Sequence, residues 1–171
     1  MHRLKTAMMN YIINAPDTQI RNFQKEKFDL NIRIMDDLMK RVFTAKYKTK
    51  YLEDLQMRFF TICLKSDYLD RRIQSIKGMA ELCKNARFNN LFISSPQLAD
   101  YIIKEDYIRE IFGKKSHTQL IVRSADIVRL LLTEQKLNQS LFNIIWECTK
   151  DPDLKPELFK LFNEISNSLN V

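Results

Sequence analysis

The chain has 171 residues, of which 45% are hydrophobic, and this length and composition suit one globular domain with a core of its own. Two glycines and four prolines are too few for the turns of a sandwich, barrel or dinucleotide-binding fold, and Gly78 and Gly113 alone cannot form a phosphate-binding loop. The net charge is +7, but the 21 acidic residues are interspersed among the 28 basic ones, which favours solvated helix surfaces over a phosphate-binding groove.

Two helices are predicted before residue 50. The first covers about 2–14 and ends where Pro16 disfavours helix in the preceding residue, and the second covers about 17–45. A targeting peptide is the alternative for the first stretch, but no clear small-residue cleavage site follows it. Residues 1–50 are therefore predicted as N-terminal helices that can protrude, and residues 51–171 as the main domain.

Two further helices are predicted over about 51–64 and up to Arg87, the second capped by Ser66 or Asp67. A glycine inside a helix costs roughly 1 kcal/mol relative to alanine, so Gly78 predicts a close helix crossing. The residues expected to face inward are Leu52, Leu55, Phe59 and Ile62 in the first helix, and Leu69, Ile73, Ile76, Ala80 and Cys83 in the second.

After a linker that begins at Asn89-Asn90, Ser95 followed by Pro96 predicts the start of a helix that carries Leu98, Tyr101 and Ile102. A short helix over about 107–112 is expected to end at Gly113 in a left-handed cap. The sequence from Ser116 to Gln119 matches a capping box, with the serine as the cap.

The stretch from Ser116 to Trp146 has the strongest helical pattern of the chain. Apolar residues recur on two adjacent stripes up to Leu132, which predicts one long helix held between neighbours. A second helix begins at Asn138 and carries Trp146, which is interpreted as a core anchor rather than a base-stacking platform. Full burial predicts a loss of about 3–5 kcal/mol for Trp146→Ala. A last helix is predicted from Pro156.

The predicted helix pairs begin near residues 51, 95 and 138, and armadillo and HEAT repeats recur at about 40–47 residues. The fold prediction is therefore all-α, with armadillo- or HEAT-like stacked helical repeats. A compact, non-repeating helical bundle is the competing interpretation.

No catalytic, cofactor or metal site is predicted. Cys63, Cys83 and Cys148 each lie within an apolar stripe, which indicates buried free thiols in a reducing compartment. The two histidines and the absence of CxxC and HxxxH motifs do not suit a zinc site. Basic residues cluster at two inter-helix joints, and these are the candidate partner-binding residues: Lys46, Lys48, Lys50, Lys114 and Lys115.

Three motifs in order carry a family resemblance: Leu64-Lys65-Ser66 through Arg71-Arg72-Ile73, then Leu98 to Phe112 before the Gly113 turn, then Leu137-Asn138 with Ile145-Trp146. Over about residues 59–166 they resemble the armadillo-like region of the giant fat-facets-type ubiquitin-specific proteases (ubiquitin carboxyl-terminal hydrolases). The resemblance implies a non-catalytic region, because the Cys and His boxes of those cysteine deubiquitinases are missing here.

The resemblance further implies a cytoplasmic or nuclear scaffold that binds a protein partner or ubiquitinated substrate and positions it for ubiquitin removal. A basic helical module that binds nucleic acid is the alternative. Neither function needs a cofactor or a membrane.

Overall fold

The computed structural model describes residues 50–88 and 93–169. The predicted helices over 2–14 and 17–45 lie outside the described residues, as do the linker from Asn89 and the side chains of Lys46, Lys48 and Lys50.

Every regular element in the described ranges is a helix, which confirms the all-α prediction for this part of the chain. The elements are α1 (Lys50–Leu64), α2 (Leu69–Arg87), α3 (Ser95–Lys104), α4 (Tyr107–Phe112), α5 (Thr118–Val122), α6 (Ala125–Thr133), α7 (Gln139–Glu147), a 3-10 helix (Cys148–Lys150) and α8 (Lys155–Leu169).

Helix α2 occupies the centre of the described fold, where it contacts α1, α3, α5 and α6. Helix α6 also contacts α8, and α4 contacts both α1 and α7. The main contacts of α7 and α8 are therefore with the middle group, α4 to α6, and these two helices form one end of the described packing.

The core consists mainly of buried aliphatic residues from α1 to α8, in agreement with stripes at helical spacing. Burying one such side chain contributes about 1.5–3 kcal/mol, so most helical stability here comes from packing. The residues with no more than 1% exposure include Leu64, Ile76, Met79, Leu98, Ile102, Ile108, Ile111, Leu120, Ile121, Ile127, Leu130, Ile145 and Leu158.

The stripe predicted on α2 is only partly correct. Ile76 and Cys83 are buried, but Leu69, Ile73 and Ala80 are half-buried because the inward face is rotated toward Arg72, Ser75 and Met79. Hydrogen bonds of the Arg72 guanidinium account for this rotation. Arg72 Nε donates to Leu64 O at 3.2 Å, and its two terminal nitrogens donate to Glu110 O at 2.6 Å and Lys115 O at 2.7 Å. One buried guanidinium thus joins the ends of α1 and α4 to the middle of the fold, since its fork of donors can serve several carbonyls at once.

Gly78 lies where α1 and α2 cross, as predicted. A Cβ at this position would overlap the ring of Phe60 in α1. Ser75, one turn earlier, donates its hydroxyl to Phe60 O at 2.5 Å. The glycine therefore allows the aromatic ring and the α2 backbone to approach closely.

Several predicted helix starts are displaced. Tyr68, not Ser66 or Asp67, is the N-cap of α2, and Ser66 Oγ instead accepts a hydrogen bond from the Tyr68 N–H at 3.3 Å. Ser94, not Ser95, caps α3, and its N–H donates to Gln97 Oε1 at 3.2 Å. Each difference is a shift of one or two residues within the correct turn.

Two turns differ in kind from the predictions. Gly113 has φ −89° and ψ −154°, so it is not a left-handed cap, and glycine suits the position because a Cβ there would collide with Arg109 O. The capping box at Ser116 is also wrong. His117 caps α5 instead, with Nδ1 accepting from the Gln119 N–H at 3.2 Å.

The predicted long helix after Ser116 is in fact two helices, α5 and α6, separated at Arg123-Ser124. Ser124 is fully buried, and its hydroxyl donates to Ile121 O at 2.8 Å. The N–H of Ser124 also donates to Ile121 O at 3.0 Å, which closes a four-residue turn in place of the α-helical hydrogen bond to residue 120. The bend lets the two stripes pack on different neighbours: α5 contacts α4, whereas α6 contacts α3, and both contact α2 and α8.

Candidate interaction surface

Of the predicted partner-binding lysines, the structure describes the side chains of Lys114 and Lys115, both exposed in the turn between α4 and α5. Lys115 Nζ lies 2.6 Å from Asp67 Oδ1, and the backbone carbonyl of Lys115 is held by Arg72. This lysine therefore helps to join the α4–α5 turn to the start of α2. The side chains of the other predicted lysines, Lys46, Lys48 and Lys50, lie outside the described residues.

Many cations of the described part lie within 4 Å of a carboxylate. The pairs connect neighbouring helices or successive helical turns: Lys65–Glu105, Arg87–Asp126, Arg109–Asp106, Arg129–Asp126, Arg129–Glu164, Lys136–Asp100, Lys150–Glu147 and Lys160–Glu157. A phosphate backbone would have to compete with these carboxylates for the same cations.

The three cysteines are buried free thiols, as predicted. Burial raises the pKa of the Cys63 thiol to about 12, although the Arg71 charge acts in the opposite direction. Burial also raises the pKa of Cys83 and of Cys148, and Cys148 Sγ donates to Phe112 O at 2.7 Å. These thiols stay protonated at neutral pH, whereas the thiolate is the nucleophilic form.

Three aromatic rings from α7 and α8 form a cluster on the surface, and we call Phe142, Trp146 and Phe162 the aromatic cluster. All three pairs of ring centroids are 6.3 Å apart, and the interplanar angles are 18°, 29° and 31°. Trp146 thus forms an offset stack with each phenylalanine ring, a favoured arrangement for aromatic pairs, and the two phenylalanine rings are tilted relative to each other. The cluster connects two helices whose other sides bury Ile145 and Leu158 in the core.

The prediction that Trp146 is a core anchor is wrong. Its side chain is 49% exposed and that of Phe142 is 39% exposed, while Phe162 is half-buried against the core. Phe159, one turn before Phe162, is 46% exposed and lies 5.9 Å from Lys155 Nζ. Leu141, Ile145 and Cys148 form the buried stripe of this part of the chain, so the adjacent stripe with Phe142 and Trp146 faces outward.

Uncharged side chains border part of the cluster on α7 and α8. Gln139 and Asn143 flank it on α7, where the Gln139 amide donates to Asn143 Oδ1 at 2.8 Å. Asn163 and Ser166 occupy the neighbouring exposed positions on α8. An apolar centre with an amide and hydroxyl rim has the composition of a protein-binding surface, because charged residues are depleted at interface cores.

Other kinds of site find no support in the described residues. No group of three or more His, Cys, Asp or Glu side chains in residues 50–88 and 93–169 is arranged to hold a metal ion. Within those same ranges no helix combines the length and the hydropathy that crossing a bilayer requires.

Comparison of the chain with protein-family models, with curated proteins and with solved structures found no match. The resemblance to deubiquitinases therefore stays a prediction from the motifs alone.

Proposed function

We propose that this chain is a helical scaffold that binds protein through the aromatic cluster of α7 and α8. The observation that carries the proposal is Trp146, which packs against Phe142 and Phe162 and leaves about half of its surface exposed to solvent. Leaving so much aromatic surface in water costs hydrophobic free energy that a partner would recover.

The residue types support the same proposal. Tryptophan is enriched among the residues that dominate binding energy in protein interfaces, and near-neutral contacts commonly surround such a residue and exclude water. Trp146, with amides at Gln139 and Asn143 beside it, fits that pattern. Packing against Phe142 and Phe162 also restricts the indole before binding, which lowers the entropy lost when a partner binds.

The scaffold is proposed to be a stack of helix pairs of the armadillo or HEAT kind. Two series of contacts favour this arrangement: α2 with α6 and α6 with α8, and α1 with α4 and α4 with α7. The proposed units begin with α1, α3 and α7, at Lys50, Ser95 and Gln139. Their spacing is about 44 residues, which lies within the range for these repeats. In such a stack each unit contacts the next.

A role in ubiquitin removal is the more specific form of the proposal, and it rests on the motif resemblance alone. Because Trp146 is the only tryptophan, a fluorescence titration with ubiquitin or ubiquitin chains tests it directly. An unchanged emission spectrum and no binding by a second method would remove ubiquitin from the proposal while leaving the scaffold intact.

Nucleic-acid binding is the alternative function. Residues 139–169 carry three basic and five acidic side chains, so the end of the chain that offers stacking aromatics is acidic. A nucleic-acid binder would lose affinity steeply with added salt, so binding of single-stranded or duplex oligonucleotides across a salt series decides this alternative.

Capture of partners by the full chain and by matched variants tests the scaffold proposal. Trp146→Ala and Phe142→Ala alter the cluster, whereas Phe88→Ala removes an aromatic ring that is 66% exposed at the end of α2. The proposal expects a defined set of proteins that bind the wild type and Phe88→Ala but not the cluster variants, and whose purified forms bind directly. If every captured protein binds all four chains equally, the aromatic cluster is not the binding surface.

A further inference from the structure

Helices α7 and α8 bury one side against the middle helices and leave the aromatic cluster on another side. Helix α7 packs on α4 through residues that include Leu141 and Ile145, and α8 packs on α5 and α6 through residues that include Leu158. Trp146 and Phe142 leave a large part of their apolar surface in water on that side, so a further apolar surface that covered them would gain hydrophobic free energy.

We propose that this cover is a second copy of the chain, bound through α7 and α8 around a two-fold axis that passes near the aromatic cluster. The inference rests on the proposed function, since it names the first protein that the surface binds. A two-fold axis places the same patch on both sides of the interface, so the patch must complement itself.

The rim of the cluster meets that requirement. Asn143 and Gln139 each carry an amide with both a donor and acceptor, so two copies of the rim can hydrogen-bond to each other. Lysine or glutamate at the same places would bring like charges together across the axis. Of the charged side chains that border the rings, Glu147 and Lys150 are paired with each other at 2.6 Å, and Lys155 Nζ lies 5.9 Å from the centroid of the Phe159 ring. The aromatic rings of two copies can also pack on each other, because offset stacking requires only a second ring.

The size of the surface predicts a weak dimer. A large aromatic side chain buries about 150–250 Å² when it is fully covered, so the exposed parts of Phe142, Trp146 and Phe159 offer roughly 300 Å² per copy. A stable interface buries about 800 Å² per partner, so polar neighbours must supply the remainder. We therefore expect association in the micromolar range rather than the nanomolar range.

Two physical measurements on the full chain test the association. Light scattering or sedimentation from about 1 to about 200 µM should show a monomer converting to a dimer. Over the same range the emission of Trp146 should shift to the blue, since dimerisation removes the indole from water. Raising the salt should leave the dimer intact or strengthen it, because residues 139–169 of each copy carry a net charge of −2. If the basic N-terminal residues bound the cluster instead, added salt would weaken that binding.

Paired substitutions at Asn143 identify the occupant. Asn143→Asp and Asn143→Lys should each weaken self-association by at least tenfold at low salt, because both place like charges near the axis. An equimolar mixture of the two variants should restore the dimer as a mixed species. A partner of fixed charge would instead discriminate between the two variants, with one binding more tightly and the other more weakly. Circular dichroism checks that each variant is folded, which is expected because Asn143 is exposed.

Three outcomes are decisive. Dimerisation that is lost in Phe142→Ala and retained in Phe88→Ala supports the proposal. A dimer that is indifferent to the cluster variants has its interface elsewhere and overturns the proposal. A chain that remains monomeric at about 200 µM also overturns it. In that last case the scaffold function still stands if other proteins bind in a Trp146-dependent way, and it fails if none do.

Discussion

Trp146→Ala is the substitution that best tests the described surface. About half of the indole is buried, which is roughly 120 Å² of the 250 Å² that a tryptophan can bury. At about 25 cal/mol per Å² this area is worth about 3 kcal/mol. The value is an upper bound because a denatured chain already hides about 10–40% of its apolar surface. Water can fill the space that the shorter side chain leaves, so no cavity penalty is added, and we expect a loss of about 2 kcal/mol or less.

The assay is urea unfolding followed by circular dichroism, because the variant contains no tryptophan to observe. It should be run at low protein concentration, so that self-association does not add to the apparent stability of the wild type. Ile145→Ala is the matched control, since the neighbouring residue is 1% exposed and its loss should cost about 2–5 kcal/mol. A loss of 4 kcal/mol or more for Trp146→Ala would place the indole in the core and refute the surface assignment. A loss near zero would show that the three rings do not pack together.

Three further predictions concern residues in the interior of the fold. Gly78→Ala should lower stability in urea unfolding by more than 1 kcal/mol despite the better helix propensity of alanine, since its Cβ meets the Phe60 ring; Phe60→Leu in the same chain should recover part of the loss. Arg72→Lys should cost about 2–4 kcal/mol in the same assay, because one ammonium cannot reach three carbonyls, and a neutral result would contradict the role of the guanidinium. Cys63 should make the free energy of unfolding fall above pH 9, by up to about 1.4 kcal/mol per pH unit. The reason is that this thiol ionises in the unfolded chain, whereas burial raises its pKa in the folded chain to about 12. In Cys63→Ala the free energy of unfolding should therefore fall less steeply with pH.

The helical stripes were readable from the sequence because a period near 3.6 residues is a property of single segments. The elements from Lys50 to Arg87 and from Gln139 to Glu147 agree with the predicted bounds to within a few residues, and Asn138 caps α7 through Leu141 N–H as expected. The bend at Ser124 was missed because a serine within an apolar stripe is compatible with a continuous helix. The packing of α5 and α6 on different neighbours favours the turn, and this packing cannot be read from the spacing of residues.

The candidate surface was missed for a related reason. Spacing shows that Phe142 and Trp146 share a stripe beside Ile145, but periodicity cannot show how many neighbours a helix has. A signal was present: apolar residues on α7 span more of its circumference than one neighbouring helix can cover. Trp146 was instead interpreted as a core anchor, whereas in the described structure α7 and α8 are covered by α4, α5 and α6 on one side only.

By itself the sequence determined that the described part of this chain is helical, where most of its helices begin, and which thiols are buried, because each of these depends on residues close together along the chain. The tertiary structure alone decided that Arg72 joins three carbonyls, that Lys115 pairs with Asp67, and that Trp146 faces water. These depend on which helices meet, and the free energies that select one packing over another are small differences between contacts distant in sequence.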